Sequence, residues 1–274
     1  MKLTLATWNI NSVRLRMDLV ERFVRRHEPD VLCLQETKVE DGKFPTSDVR
    51  RLGFEHIAFN GQKGYHGVAV FSRLPIAEVG KRDFCAKGDA RHISVRFGAE
   101  AGAAAGLVIH NLYVPAGGDI PDVEANDKFA HKLNFLDEME AWFRGGFPGS
   151  ERAVLVGDLN IAPLEHDVWS HKQLLDVVSH TPVETESMKR VIAAGQWVDT
   201  MRHFIPEPEK LYTWWSYRAA DWAASNKGRR LDHIWASPSL APAFTGIEVV
   251  SDARGWERPS DHVPVIGRID LSAV

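Results

Sequence analysis

Asp158 and Asn160, an acid and an amide two residues apart, follow the apolar run Val154-Leu155-Val156 across Gly157, and Pro163 ends the run soon after. Side chains alternate along a strand, which predicts Asp158 and Asn160 on one face, while a glycine removes bulk where another group comes close. Two other apolar runs end alike: Leu3 to Trp8 runs into Asn9 and Asn11, and Val31 to Leu34 runs into Gln35 and Glu36. A single strand-end Asp is more often a cap or turn residue. Three such ends point to one concave polar site, because ligands of layered α/β proteins sit where strand ends and loops converge.

Two further clusters add an imidazole. Arg229-Arg230-Leu231-Asp232-His233 and Ser260-Asp261-His262 each lead into a short apolar run. A carboxylate accepting from one ring nitrogen stabilises the imidazolium and leaves the other nitrogen for a substrate, so His262 pairs with Asp232 or Asp261. The chain lacks a Walker-type glycine loop, a Gly-x-Gly-x-x-Gly after the first strand and a Gly-x-Ser-x-Gly turn, which removes support for nucleotide-cofactor and covalent acyl chemistry. Carboxylates and amides are hard oxygen ligands suited to Mg²⁺ or Mn²⁺, whereas Cys33 and Cys85 stand apart without zinc spacing. The combination suggests metal-assisted phosphoester hydrolysis. The metal offsets charge on the phosphate, a carboxylate orients or deprotonates water, and an imidazolium or amide holds a non-bridging oxygen.

The elements that must position these groups alternate along the chain. Strands are expected near 2–9, 30–36, 54–59, 67–72, 92–97, 107–113, 153–158, 231–236 and 263–269. Helices are expected at about 13–27, with Met17, Val20, Phe23 and Val24 on one face, and about 124–143, with Phe129, Leu133, Leu136, Met139 and Phe143 at helical spacing. The small-residue stretch 98–106 reads as a hairpin loop and no linker divides the chain, so residues 1–274 read as one domain. Many strands and few helices favour two packed sheets with helices outside. Tyr212 to Arg218 is aromatic-rich and either packs a core or lines a pocket.

Composition narrows the partners. With 33 Lys and Arg against 37 Asp and Glu, the net charge of −4 excludes a global polycation, so nucleic-acid binding needs a local basic face. Arg14, Lys63, Arg73, Arg218, Lys227, Arg229, Arg230, Arg254 and Arg258 are the candidates for phosphate contacts. The absence of a long apolar stretch and of a signal-like start, with only two Cys, leads to the expectation of a cytoplasmic protein with no disulfide and no membrane partner.

Six ordered blocks then carry a resemblance: Trp8-Asn9-Ile10-Asn11-Ser12, Leu34-Gln35-Glu36-Thr37-Lys38, Asn111-Leu112-Tyr113-Val114-Pro115, Gly157 to Pro163, Arg230-Leu231-Asp232-His233 and Ser260-Asp261-His262-Val263-Pro264. Together they resemble the exonuclease III family of abasic-site endonucleases, over essentially the entire chain. The resemblance implies a four-layered α/β sandwich of two packed mixed sheets flanked by helices, of the DNase I-like endonuclease/exonuclease/phosphatase type. It also implies a Mg²⁺-dependent DNA-repair phosphodiesterase, Mn²⁺ being the alternative, that cuts 5′ of abasic sites, trims blocked 3′ ends and degrades duplex DNA from the 3′ end. The implied protein is a monomer associated with the nucleoid through DNA.

Carried over by residue, Glu36 binds the metal with Asn9, Asn11 and Asp261, and Asp158 and Asn160 also border it. Asp158 activates water or assists the leaving oxygen, Asn160 orients the water or phosphate, and Tyr113 touches the phosphate. His262 bonds a non-bridging oxygen, oriented by Asp232, and either Asp158 or His262 serves as base. Trp214 and Leu231 wall a pocket for a flipped-out abasic sugar, and the stretch from Ala219 to Arg230 grips DNA as a loop. The family commonly has an amide after the Tyr113-Val114-Pro115 block; here Ala116 and two glycines follow, which puts the balance of activities in doubt. The alternatives are another phosphoesterase of the superfamily and a catalytically weak nucleic-acid-binding relative.

Overall fold

The computed structural model describes residues 1–145, 151–219 and 221–274. Its strands are β1 Lys2–Asn9, β2 Val31–Gln35, β3 His56–Asn60, β4 Val68–Ser72, β5 Ile76–Gly80, β6 His92–Phe97 and β7 Val108–Tyr113, then β8 Ala153–Asp158, β9 Val198–Asp199, β10 Trp214–Trp215, β11 Gly228–Arg229, β12 Asp232–Ala236, β13 Phe244–Val249 and β14 Val265–Asp270. Two six-stranded sheets result, ordered β13-β14-β1-β2-β4-β3 and β5-β6-β7-β8-β12-β9. Each is mixed: β1 with β2 and β7 with β8 are parallel, and their neighbours are antiparallel.

Strand alternation sorts the apolar residues into layers. Leu3, Leu5, Val31, Cys33 and Val70 of the first sheet meet Ile93, Ile109, Val154, Val156 and Ile234 of the second in the central core. Trp8, Leu32, Leu34 and Phe71 face the other way and pack against Val20, Phe23 and Val24 of the helix Met17–His27. On the far side of the second sheet, Leu112, Leu155 and Trp235 pack under Phe135, Leu136, Met139 and Phe143 of the helix Asp127–Arg144 and Met188 and Val191 of the helix Pro182–Ala194. The layers are helix, sheet, sheet and helix, the sandwich expected from sequence. The 98–106 stretch does join the antiparallel strands β6 and β7.

Register decides what the strand ends deliver. Tyr113 lies beside Asp158 in the parallel pair β7–β8, and Asp158 lies directly across from Asp232 in β8–β12. In the facing sheet Asn9 pairs with Gln35 at the ends of β1 and β2. Gly157 makes the close approach possible: at φ +141° its missing Cβ would fall 1.9 Å from the Leu112 carbonyl oxygen, so any side chain there displaces β7.

Candidate active site

The strands β1, β2 and β8 each give way to left-handed backbone rather than running on. Asn11, Glu36, Lys38 and Asn160 all have left-handed backbone conformations, with φ of 48°, 50°, 53° and 54°, a region costly for residues with a Cβ and concentrated at functional sites. Asn160 therefore reaches the face of Asp158 by a turn, since β8 ends at Asp158, and not by strand alternation. Its amide donates to Val114 O at 2.9 Å and to Asp158 Oδ2 at 3.2 Å.

The buried Asn9 amide joins the two sheets. Its Nδ2 lies 2.9 Å from Glu36 Oε1, 2.8 Å from Asp158 Oδ2 and 3.4 Å from His262 Nε2. Ser260 Oγ donates to Asn9 O at 2.6 Å and the Trp8 indole to His262 O at 3.0 Å, which docks the His262 segment onto the end of β1. Tyr113 donates its hydroxyl to Glu36 Oε1 at 2.9 Å. Behind these, Gln35 donates to Thr7 Oγ1 and Asn111 Oδ1, and Asn111 donates to Leu34 O and Ala69 O, a buried amide chain that locks the sheets together below the site.

His262 lies between two carboxylates, with Nδ1 2.8 Å from Asp232 Oδ2 and Nε2 3.5 Å from Asp158 Oδ2. Burial alone would lower its pKa, but Asp232 and then Asp158 push it up to about 10, so the ring is a cation at neutral pH. Burial raises the Asp158 carboxyl above the ordinary range against the pull of His262. Thr213 Oγ1 accepts from the backbone N–H groups of Leu231 and Asp232, both at 3.0 Å, and so fixes the entry to β12. Of the two dyads open from sequence, the structure forms His262 with Asp232. Asp261 instead accepts the Trp214 indole at 2.9 Å and the Asn11 amide at 3.4 Å.

The chemistry of the donor set separates two possible cation positions. Asp158, Asp232 and His262 have ligand atoms within 4.8 Å of one another, but both ring nitrogens of His262 are turned to carboxylates, at 2.8 and 3.5 Å. Glu36 fits better. Burial would raise its carboxyl, but the Lys38 ammonium at 2.8 Å and the Asn9 amide outweigh that and hold it below its usual range. An ionised, hard carboxylate oxygen facing a cleft suits a divalent cation. Lys38 also donates to Asn11 Oδ1 at 2.5 Å, so Asn11 borders the Glu36 carboxylate through Lys38, and Asp261 lies one step farther, accepting the Asn11 amide at 3.4 Å.

These groups floor a cleft of about 740 Å³ lined by Glu36, Tyr113, Asn160, Trp214, Leu231 and His262, within the range of about 300–1,000 Å³ common for ligand sites. The aromatic stretch resolves into both readings: Trp215 is buried in the core and reaches the cleft only from behind, while the half-buried Trp214 lines it. Arg218, Lys227 and Arg229 line it too, with Lys227 over the Trp169 ring at 4.5 Å. Arg14 and Lys63 are exposed on loops outside the lining, as is Arg258.

Two of the basic candidates are corrected. Arg230 is fully buried and bonded to Asp167 at 2.8 Å and Asp199 at 2.6 Å, so it cannot reach a phosphate. Arg254 is buried over Tyr217 and Trp222, whereas Arg73, which donates to Pro29 O and packs over Phe54, stays exposed outside the cleft lining. The stretch expected as a single loop contains the short helix Trp222–Ser225 and β11; Ala220 lies outside the described residues.

Sequence reasoning missed Lys38 as a site group, although it stands two residues after Glu36. It also missed Lys132. That ammonium is fully buried, paired with Glu184 at 2.5 Å, and donates to Asn160 O at 2.8 Å and Ala116 O at 3.2 Å. It thereby anchors Ala116 ahead of the glycine turn. A lysine inside the apolar stripe between Phe129 and Leu136 was the available signal.

The endonuclease/exonuclease/phosphatase family model matches residues 6–262. Exodeoxyribonuclease III of Haemophilus influenzae is 30% identical over 269 residues, covering 94% of this chain and 97% of that protein. An AP endonuclease from Archaeoglobus fulgidus superposes with a TM-score of 0.89 at 33% identity, covering 98% of this chain and 99% of the other. A 3′ phosphatase from Neisseria, bound to product DNA hairpin, does so with a TM-score of 0.87 at 30% identity, covering 98% and 99%.

Proposed function

We propose that this chain, which belongs to the endonuclease/exonuclease/phosphatase family and within it to the exodeoxyribonuclease III group, is a DNA-repair phosphodiesterase. It cuts duplex DNA 5′ of abasic sites and trims 3′ ends. The observation that carries the reading is the His262 cation held between Asp158 and Asp232 at the floor of a cleft walled by Trp214 and Leu231. Residues 1–274 act as one domain, a reading supported by the first sheet taking strands from both ends of the chain.

Each role follows from what the group can do where it stands. Asp158, with its carboxyl raised, takes the proton of the attacking water. His262 stays charged and holds a non-bridging phosphate oxygen, with Asp232 fixing its ring. Asn160 and Tyr113 orient the phosphate; burial, then Glu36 and Asp158, push the Tyr113 hydroxyl well above its usual pKa, so it remains a donor. Glu36, with Asn9, Asn11 and Asp261 around it, would hold Mg²⁺, or Mn²⁺, which supplies positive charge to offset the phosphate's. Trp214 and Leu231 exclude a full nucleotide by shape and admit a sugar without a base, while Arg218 and Lys227 at the rim, and Arg14 and Lys63 farther out, neutralise backbone phosphates. The protein acts as a monomer on DNA in the cytoplasm, associated with the nucleoid through that substrate.

The test is a duplex with one abasic-site analogue, incubated with the protein and Mg²⁺ or EDTA and resolved on a denaturing gel. Metal-dependent incision 5′ of the lesion, leaving a 3′-hydroxyl, is the expected result. No incision, with 3′ shortening or mere retention of the DNA, contradicts the endonuclease reading.

A further inference from the structure

Two consecutive arginines stand at the end of β11 just before β12, and among the described residues only one of them has its charge balanced by an acid. Arg230 is held by Asp167 and Asp199. Arg229 sits directly across from Trp214 in the β10–β11 pair, with its guanidinium 5.2 Å from the centre of the Trp214 ring. It donates to Val178 O at 2.9 Å and Ser179 Oγ at 2.8 Å, and its Nε is buried with no partner. Among the described residues it makes no ion pair. The acid whose charge it feels, Glu184, is already spent on Lys132 at 2.5 Å.

A carbonyl and a hydroxyl need a donor but not a charge. Keeping a guanidinium in a cleft wall without a counter-ion is costly, and the cost is recovered when an anion enters. The same cleft is lined by Glu36, Asn160 and His262. On the phosphodiesterase reading above, on which this inference rests, the phosphorus under attack sits at Asn160 and His262. Whatever lies on its 3′ side then falls in the Trp214 pocket. An abasic sugar there is neutral. A strand ending in a 3′-phosphate places an additional ionised oxygen there, and one ending in 3′-phosphoglycolate places a carboxylate.

We infer that Arg229 is a specificity-determining residue that turns this pocket toward 3′ ends bearing an extra anionic oxygen on the far side of the scissile phosphorus, at the expense of a neutral abasic sugar. In the reaction the water oxygen bonds to phosphorus and the O3′–P bond breaks with its electron pair going to O3′. O3′ gains a proton as the water loses one, which leaves a 3′-hydroxyl and inorganic phosphate or phosphoglycolate.

The experiment compares kcat/KM on three duplexes of one sequence, carrying a 3′-phosphate at a gap, a 3′-phosphoglycolate at a gap, or an internal abasic analogue. The proteins are the wild type, Arg229→Met, Arg229→Gln and Arg229→Lys, with melting temperatures to establish which variants fold. Gln keeps a donor for the Val178 carbonyl and stands in if Met does not fold. Removing the charge is expected to lower the ratio of either anionic end to the abasic duplex by about tenfold or more, the scale of one charge-assisted hydrogen bond, and Lys is expected to restore part of it. A loss confined to one anionic end identifies that anion as the ligand. Equal losses on all three substrates, or no change in the ratio, overturn the inference and leave the reaction reading standing. Wild type that turns over none of the three overturns the reaction reading itself.

Discussion

Two buried acid clusters flank the start of β12, and they differ in what balances them. Asp167 accepts from Arg230 at 2.8 Å and Arg202 at 2.6 Å. Burial would raise its carboxyl, but Arg230 and then Arg202 hold it below the ordinary range. Two residues along the chain from Arg230, Asp232 shares a single imidazole with Asp158, and there burial keeps the Asp158 carboxyl raised. A guanidinium does not give up its proton, so the first cluster is a fixed tie. An imidazole can, and a carboxylate with a raised pKa can take one, so the second cluster holds a proton that can move. Fold and chemistry thus use the same residue type in adjacent places and are told apart by the base beside it.

The contrast breaks most sharply at Asp158. Asp158→Asn is expected to lower single-turnover incision by roughly 10²–10⁴-fold, the usual share of general acid–base catalysis, while the melting temperature stays the same or rises because a buried carboxylate is gone. Asp167→Ala is expected to do the opposite. It leaves Arg230 buried beside Asp199 alone, so denaturant unfolding should register a loss of about 3–5 kcal/mol, with turnover per folded molecule retained. Wild-type stability after Asp167→Ala, or intact turnover after Asp158→Asn, erases the distinction.

The pH profile sharpens it. His262 has a folded pKa raised from 6.5 to about 10, so its contribution to stability is fully present below about 6.5 and is lost as pH rises toward about 10. The rate should fall on the alkaline side only as pH nears and passes about 10, where the folded ring loses its proton. Asp232→Asn removes the main anion raising the ring and is expected to move that alkaline limb to lower pH; a limb that stays in place means another group titrates there. The smallest effect is expected at the pocket wall. Trp214→Ala should raise KM for an abasic duplex by about tenfold, within the range for reshaping an apolar pocket, with a smaller change in kcat.

The frame was legible in the sequence because it rests on periodicity. The runs that became β1, β2, β4 and β8 are apolar on both faces and end in Asn9, Gln35, Ser72 and Asp158, and the stripe of Phe129, Leu136, Met139 and Phe143 marks its helix. The edge strands β5 and β13 were missed because they are half-exposed and lack that pattern. The helix Pro182–Ala194 was announced by Thr181-Pro182-Val183-Glu184, a capping box with proline at the first turn, and went unread. In the site, residue types pointed to the acids, the amides and His262. Which acid holds the imidazole depends on the register of β8 against β12, and long-range pairing is not written in local sequence. For the same reason Arg229 and Arg230 looked alike, although one faces the cleft and the other lies under it.

The most direct test of the central claim is a paired binding and single-turnover measurement of Asp158→Asn on an abasic duplex with Mg²⁺. Binding within a few-fold of wild type, with incision 5′ of the lesion reduced by at least about a hundredfold, is the predicted result. Incision at the wild-type rate would show that the proton of the attacking water does not go to Asp158 and that the imbalance at this cluster has another purpose.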